Sequence, residues 1–144
     1  GYIYKDTLIH IPNAAAELTY TIPLSALQKE MVLQLRNIQF DHNSSVLTPS
    51  SYAELDKLVK LMQDNPSMQI ELSAHTDDVG SEQYNLRLSQ QRGESVRKYL
   101  IRKGVDAKRI IAKGYGKNKP LVPNDSDENR AINRRVEFTI NEIE

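Results

Sequence analysis

The chain predicts an α+β fold: a β-α-β-α-β-β two-layer sandwich with its helices on one face of a mixed sheet. Three observations carry this. Met68, Ile70, Leu72 and Ala74 alternate with Gln69, Glu71, Ser73 and His75, the two-residue period of a strand with one face on a core. Val136, Phe138 and Ile140 repeat that period near the C-terminus. Between and before them, Tyr52, Leu55, Leu58, Val59 and Met62, then Leu88, Val96, Tyr99 and Leu100, fall at helical spacing. The two strand-helix-strand passages should be right-handed crossovers.

Each element has its own local warrant. Residues 1–30 differ from the rest. Tyr2–Tyr4, Leu8–Ile11 and Leu18–Ile22 are short alternating pieces, broken by Pro12 and Pro23. They read as an extended lead-in or linker from an upstream domain, or as a strand packed on the main unit. That unit takes residues 31–144. Val32–Phe40 is its first strand, and a change of apolar phase between Leu35 and Ile38 suggests a bulge. After a polar turn at 41–45, Thr48 is a candidate N-cap with Pro49 at the first helical position. Asn65-Pro66 stops this helix. The strand Met68–His75 follows, then an Asp/Gly turn over Asp77–Gly80, then a helix from about Ser81 to Arg102 that ends at Gly104. Arg109–Tyr115 is a short strand, Gly116–Asn129 a polar loop, and Arg134–Ile140 the last strand.

Bulk composition excludes several function classes. The chain has 144 residues, enough for one domain with a sizeable core. Lys+Arg and Asp+Glu are equal at 19 each, which argues against nucleic-acid binding through a basic field. No run approaches the roughly 18–20 apolar residues of a membrane span. With no cysteine, disulfides, thiolate metal sites and cysteine nucleophiles are excluded.

The second helix carries the chemistry. Projected at helical period, Arg92 falls near the centre of its apolar side, flanked by Asn85 and Ser89. A guanidinium aimed toward a core needs an anionic partner. The C-terminal half of the stripe is apolar and the N-terminal half polar, so the helix start should face a polar cavity. Asp77 lies next to that start. A carboxylate and a guanidinium together match a zwitterion, Asp77 for an ammonium and Arg92 with helix N–H groups for a carboxylate. Two simpler readings stay open: Asp77 pairs with Arg92, or Asp77 caps the turn. Arg134 shares the parity of Val136, Phe138 and Ile140 and should point to their side, as a second cation or as a rim salt bridge. Arg135 has the opposite parity and reads as a surface charge. Arg130 should bond loop carbonyls around Asn124–Asn129.

Other chemistries fit worse. His75 and Asp77 share a strand face, but no second histidine is near in sequence, so no metal site is expected. Ser89, His75 and Asp77 are the residue types of a hydrolase triad, yet there is no Gly-x-Ser-x-Gly elbow. Gly114-Tyr-Gly116 is too short for a phosphate loop, and the cationic cluster Arg97–Lys103 reads as a solvated helix face.

The spaced motifs His75-Thr-Asp77-x-x-Gly80, Tyr84-Asn85-x-x-Leu88-Ser89-x-x-Arg92, Gly114-Tyr-Gly116, Pro120, Asn124 and Arg130-Ala-x-Asn133-Arg134-Arg135-Val136-Glu137 resemble the OmpA-like domain. Asn37-Ile-x-Phe40-Asp41 matches that family's first strand, and the resemblance covers about residues 32–141. It implies non-covalent binding of peptidoglycan through the diaminopimelate of the stem peptide, anchoring an outer-membrane protein to the cell wall from the periplasm. It implies no catalysis and no cofactor. Neither nucleic acid nor membrane is an expected partner, except through parts of a parent protein outside this chain. The resemblance puts the main ligand residues at Asp77 and Arg92 and supporting contacts at Asn43, Asn85 and Arg134, with the turn around Val79 closing the site. Ala74, Gly93 and Asn129 depart from the family's usual Gly, Ala and Gly. An interaction or scaffolding module with the same fold and no peptidoglycan binding is the alternative.

Overall fold

The structure, a computed structural model, describes residues 8–12, 17–21, 29–35, 38, 40 and 43–142. Its strands are β1 (Leu8–Pro12), β2 (Glu17–Thr21), β3 (Val32–Leu35), β4 (Gln69–His75), β5 (Ile110–Gly116) and β6 (Arg135–Glu142). Its α-helices are α1 (Tyr52–Asp64), α2 (Glu82–Arg102) and α3 (Asp127–Asn133). The strands form one mixed sheet in the order β2-β1-β3-β6-β4-β5. β6 runs antiparallel to both β3 and β4, while β4 and β5 are parallel. The last strand in the chain is therefore an inner strand, and four successive residues at its start, Arg135 to Phe138, are all buried, Val136 and Phe138 in the core and Arg135 and Glu137 on the opposite face.

The predicted α+β sandwich is the observed one. Leu33, Leu35, Ile70, Leu72, Val136, Phe138 and Ile140 of the sheet pack with Leu55, Leu58 and Met62 of α1 and Val96 and Leu100 of α2 in one core. Both long helices thus cover the same sheet face. The expected bounds of the second helix also hold. Ser81 stands at the N-cap of α2 and its hydroxyl accepts from the Tyr84 amide at 3.1 Å. Gly104 beyond the C-terminus has φ +106°, a left-handed stop that suits glycine. Thr48 has the extended backbone of an N-cap, but Pro49–Ser51 form a 3-10 turn before α1 begins. The hydroxyl of Thr48 meets that of Ser50 at 2.9 Å. Tyr52, placed in the core stripe by its spacing, is 40% exposed and stacks on the Tyr99 ring at 5.1 Å.

β1 and β2 pair as an antiparallel hairpin, and β1 meets β3 at His10 and Gln34, so the described part of residues 1–30 extends the sheet, the second of the two readings given for it. Elsewhere the structure differs from the sequence reading. The segment read as a loop from Gly116 to Asn129 contains the start of α3. That helix has seven residues and buries only Asn133, so no apolar stripe announces it. Its signal is capping chemistry: the Ser126 hydroxyl accepts from the Asn129 amide, with Asp127 and Glu128 in the first turn. β3 is described over Val32–Leu35, and the bulge expected between Leu35 and Ile38 falls on residues 36 and 37, which lie outside those described.

α2 also closes the sheet's edge. β5 is an outer strand, and its outward backbone groups at Ile110, Ala112, Gly114 and Gly116 all meet α2 side chains. Arg97 donates to the Ile110 carbonyl at 3.0 Å. The Gln90 amide donates to the Ala112 carbonyl at 3.0 Å and accepts from the Gly114 amide at 2.8 Å. The Ser89 hydroxyl accepts from the Gly116 amide at 2.9 Å. Side chains thus stand in for a neighbouring strand, which protects the edge from pairing with another chain.

Candidate functional site

The site forms where β4 hands over to α2. Thr76 donates its amide to the Gly116 carbonyl at 2.9 Å, holding the strand end against β5. The chain then turns through Asp77–Gly80. Asp77 Oδ1 accepts from the Val79 amide at 3.0 Å, and Asn85 Nδ2 donates to the Val79 carbonyl at 3.0 Å. The turn is thus clamped from both sides, and Asp77 does cap it. Gly80 has φ +96°, which only glycine takes without strain.

Two further segments complete the walls. Asn43, in the left-handed region at φ +54°, accepts from the Tyr84 hydroxyl. Asn tolerates this conformation better than most residues. Arg92 donates Nε to the Ser44 carbonyl at 2.9 Å and lies 4.9 Å from the Phe40 ring centre. Across from the turn, Arg134 at the C-cap of α3 donates Nη1 to Asp77 Oδ2 at 2.6 Å. One turn earlier on the same helix, Arg130 reaches Asp78 Oδ1 at 3.3 Å, Asp127 Oδ1 at 3.2 Å and the Asn124 carbonyl at 3.2 Å.

Together these segments enclose an open cavity of about 580 Å³. Asn43, Asp77, Val79, Asn85, Arg92 and Arg134, the six residues singled out from sequence, all line it. So do Thr76, Gly80, Tyr84, Leu88, Asp127 and Arg130. Arg92, Arg130 and Arg134 line it together with Asp77 and Asp127, and Asp78 lies beside Arg130, so guanidinium and carboxylate groups face one space, a lining that suits a ligand bearing both charges. Burial pulls the Arg92 guanidinium below the usual arginine range, with repulsion from Arg134 adding to it and Tyr84 and Asp77 opposing it. A carboxylate brought to these arginines would be attracted in a partly desolvated setting.

Several residues are not where the sequence reading put them. Ser89 is fully buried and serves the β5 edge rather than the cavity wall. Arg134 reaches the cavity, but from the end of α3; β6 starts one residue later, so the strand parity used to aim it does not apply. Arg135, read as a surface charge, is 7% exposed. Its guanidinium bonds Glu137, the Asn133 carbonyl and the Lys119 carbonyl, because the loop after β5 folds over this end of the sheet. Arg130 bonds a loop carbonyl as expected and adds Asp78 and Asp127, which spacing alone does not reveal. Tyr84 and Asp127 were also missed. Tyr84 was detectable as the helix-start residue one turn before Leu88; Asp127 depends on the unrecognised α3. Among the described residues, no group of three His, Cys, Asp or Glu is placed to hold a metal ion, and no helix is long and apolar enough to cross a membrane.

The chain as a whole has known relatives. Outer membrane porin F of Pseudomonas fluorescens is 38% identical over 104 residues, 72% of this chain and 32% of the porin. The peptidoglycan-binding protein ArfA of Mycobacterium bovis is 35% identical over 104 residues, again 72% of this chain and 32% of the relative. The chain thus spans about a third of the length of these relatives. The crystal structure of the peptidoglycan-associated lipoprotein from Burkholderia pseudomallei superposes with a TM-score of 0.67 at 30% identity, covering 72% of this chain and 87% of that one. The OmpA family itself matches residues 39–134, which include every residue of the cavity. On that match, extending over two thirds of its length, the chain belongs to the OmpA family.

Proposed function

We propose that this chain binds peptidoglycan non-covalently, taking the free zwitterionic end of a diaminopimelate side chain into the Asp77–Arg92–Arg134 cavity, and so anchors a larger outer-membrane-associated protein to the cell wall in the periplasm. The observation that carries the reading is the convergence of one fixed carboxylate, Asp77, with the guanidinium groups of Arg92 and Arg134 in a single cavity. A zwitterionic carbon bears an ammonium and a carboxylate on the same atom, the arrangement such a lining complements. The naming of one relative and one similar structure for peptidoglycan supports the partner class. Each contact can be modest, because many domains held over one cell-wall lattice gain from effective concentration. No step in this reading needs bond making or breaking.

The test is retention on purified cell wall of the diaminopimelate type. Asp77→Ala and Arg92→Ala should each lower retention by about tenfold or more, since each leaves a charged ligand group without its partner. Circular dichroism should show both variants folded. Full retention by both variants would refute the site. Absence of any calorimetric heat with a diaminopimelate-containing peptide would favour a scaffolding role for the same fold.

A further inference from the structure

The turn and α3 are joined by two ion pairs made from neighbouring residues. Asp77 pairs with Arg134 and Asp78 with Arg130, and the two arginines lie four apart along one helix face. The pairs are not equivalent. Arg130 is committed to three acceptors, Asp78, Asp127 and the Asn124 carbonyl. Arg134 has Asp77 as its one recorded side-chain partner among the described residues, and its side chain is 48% exposed. Asp77 is the opposite case: its side chain is 13% exposed and its other oxygen is held by the Val79 amide. The carboxylate is fixed while the guanidinium opposite it can swing into solvent.

From this asymmetry we infer that Arg134 holds the position a ligand ammonium would take on Asp77, and that ligand entry is an exchange of ion pairs which selects for a zwitterion. The inference rests on the diaminopimelate reading above and adds the origin of its selectivity. A ligand bearing only an ammonium must displace Arg134 from Asp77, so one ion pair forms as one breaks. One bearing only a carboxylate draws Arg134 away and leaves Asp77 largely buried without a cation, which is unfavourable. A ligand with both groups gives its ammonium to Asp77 and its carboxylate to the released Arg134, with Arg92 behind it. Two pairs then replace one. Throughout, Asp78–Arg130 keeps α3 against the turn, so the wall stays in place while the contact beside it exchanges. Specificity here comes as much from the internal competitor as from attractive contacts.

Two synthetic stem tetrapeptides that differ only at the third residue, meso-diaminopimelate or L-lysine, test the exchange by calorimetry on the intact chain and its Arg134→Gln and Arg134→Lys variants. The wild type should prefer the diaminopimelate peptide. In Arg134→Gln that peptide should bind about tenfold more weakly, while the lysine peptide should bind up to about fivefold more tightly, because nothing competes for Asp77. Arg134→Lys keeps a cation against Asp77 and should show no gain for the lysine peptide. If Arg134→Gln binds the lysine peptide no better than wild type, Arg134 is a plain carboxylate contact and the exchange is refuted. A gain in Arg134→Lys equal to that in Arg134→Gln refutes it too, since charge is then not the cause. A wild type that binds neither peptide removes the underlying function as well, which separates that failure from the others.

Discussion

His75 shows how a single residue escapes a periodicity argument. Alternation puts it on the polar side of β4, yet it is 5% exposed and stacks on the Tyr115 ring at 5.3 Å. Tyr115 in turn donates to Glu71 and carries the Lys119 ammonium over its ring at 4.2 Å. Glu137 lies 3.9 Å from the imidazole but is already engaged by Arg135. Burial, then the positive charges of Arg135 and Lys119, push the His75 pKa down to about 3, so the ring is neutral in the folded chain. In the unfolded chain a histidine takes up a proton near pH 6.5. The folded state therefore keeps its full advantage above that pH. Its stability falls by about 1.4 kcal/mol per unit as the pH drops from about 6.5 toward 3. His75→Gln removes this dependence. Urea unfolding at about pH 7.5 and about pH 5 should show the wild type losing about 2 kcal/mol more than the variant between the two. Equal losses in both proteins would show that His75 is not the titrating group.

At the scale of elements, α2 has two jobs that its sequence displays only in part. Its apolar side, Leu88, Val96, Tyr99 and Leu100, is readable from spacing and is buried as expected. Its polar residues Ser89, Gln90 and Arg97 look like surface or pocket residues and instead complete the hydrogen bonds of β5. The glycines on this interface separate the two roles. A Cβ on Gly114 would sit 2.2 Å from the Gln90 amide nitrogen and 2.5 Å from the Ser89 hydroxyl, so Gly114→Ala must push α2 off the strand. A loss of about 3 kcal/mol in chemical denaturation is expected. On Gly93 the same atom would meet Ala112, Lys113 and Ala74 at 3.6 to 3.9 Å, ordinary contacts. Gly93→Ala should therefore stabilise the helix by about 0.5–1 kcal/mol, read as a raised unfolding midpoint. Opposite effects from the same substitution would confirm that helix–strand approach, rather than glycine content, sets the packing. Because Asn85 and Arg92 ride on α2, its seat on β5 also aims them into the cavity.

For the whole molecule, the cavity depends on residues 43–134, and the family match spans 39–134. Among the described residues, the hairpin β1–β2 joins the sheet where His10 of β1 pairs with Gln34 of β3, at the edge away from the cavity. A chain beginning at Lys29 should fold cooperatively and keep its ligand affinity within about twofold, as expected when an edge element lends no residue to the site. A non-cooperative melt would show instead that the hairpin is integral to the fold. The sequence by itself determined the strand and helix periods, the bounds of α2 near Ser81 and Gly104, and the proximity of Asp77 to its start. These are local, written in spacing and turn chemistry within about twenty residues. It also drew attention to six of the residues that line the cavity, through residue type and family motif. Only the tertiary structure decided what they do to one another: that Asp77 meets Arg134 across 57 positions of chain, that α3 supplies a wall, and that Arg135 and His75 are covered. Such pairings depend on which strand lies beside which, and β6 takes an inner place although it comes last in the chain. Local periodicity carries no information about that order, so the partners of a charge brought in from a distant segment are fixed only when the sheet is assembled.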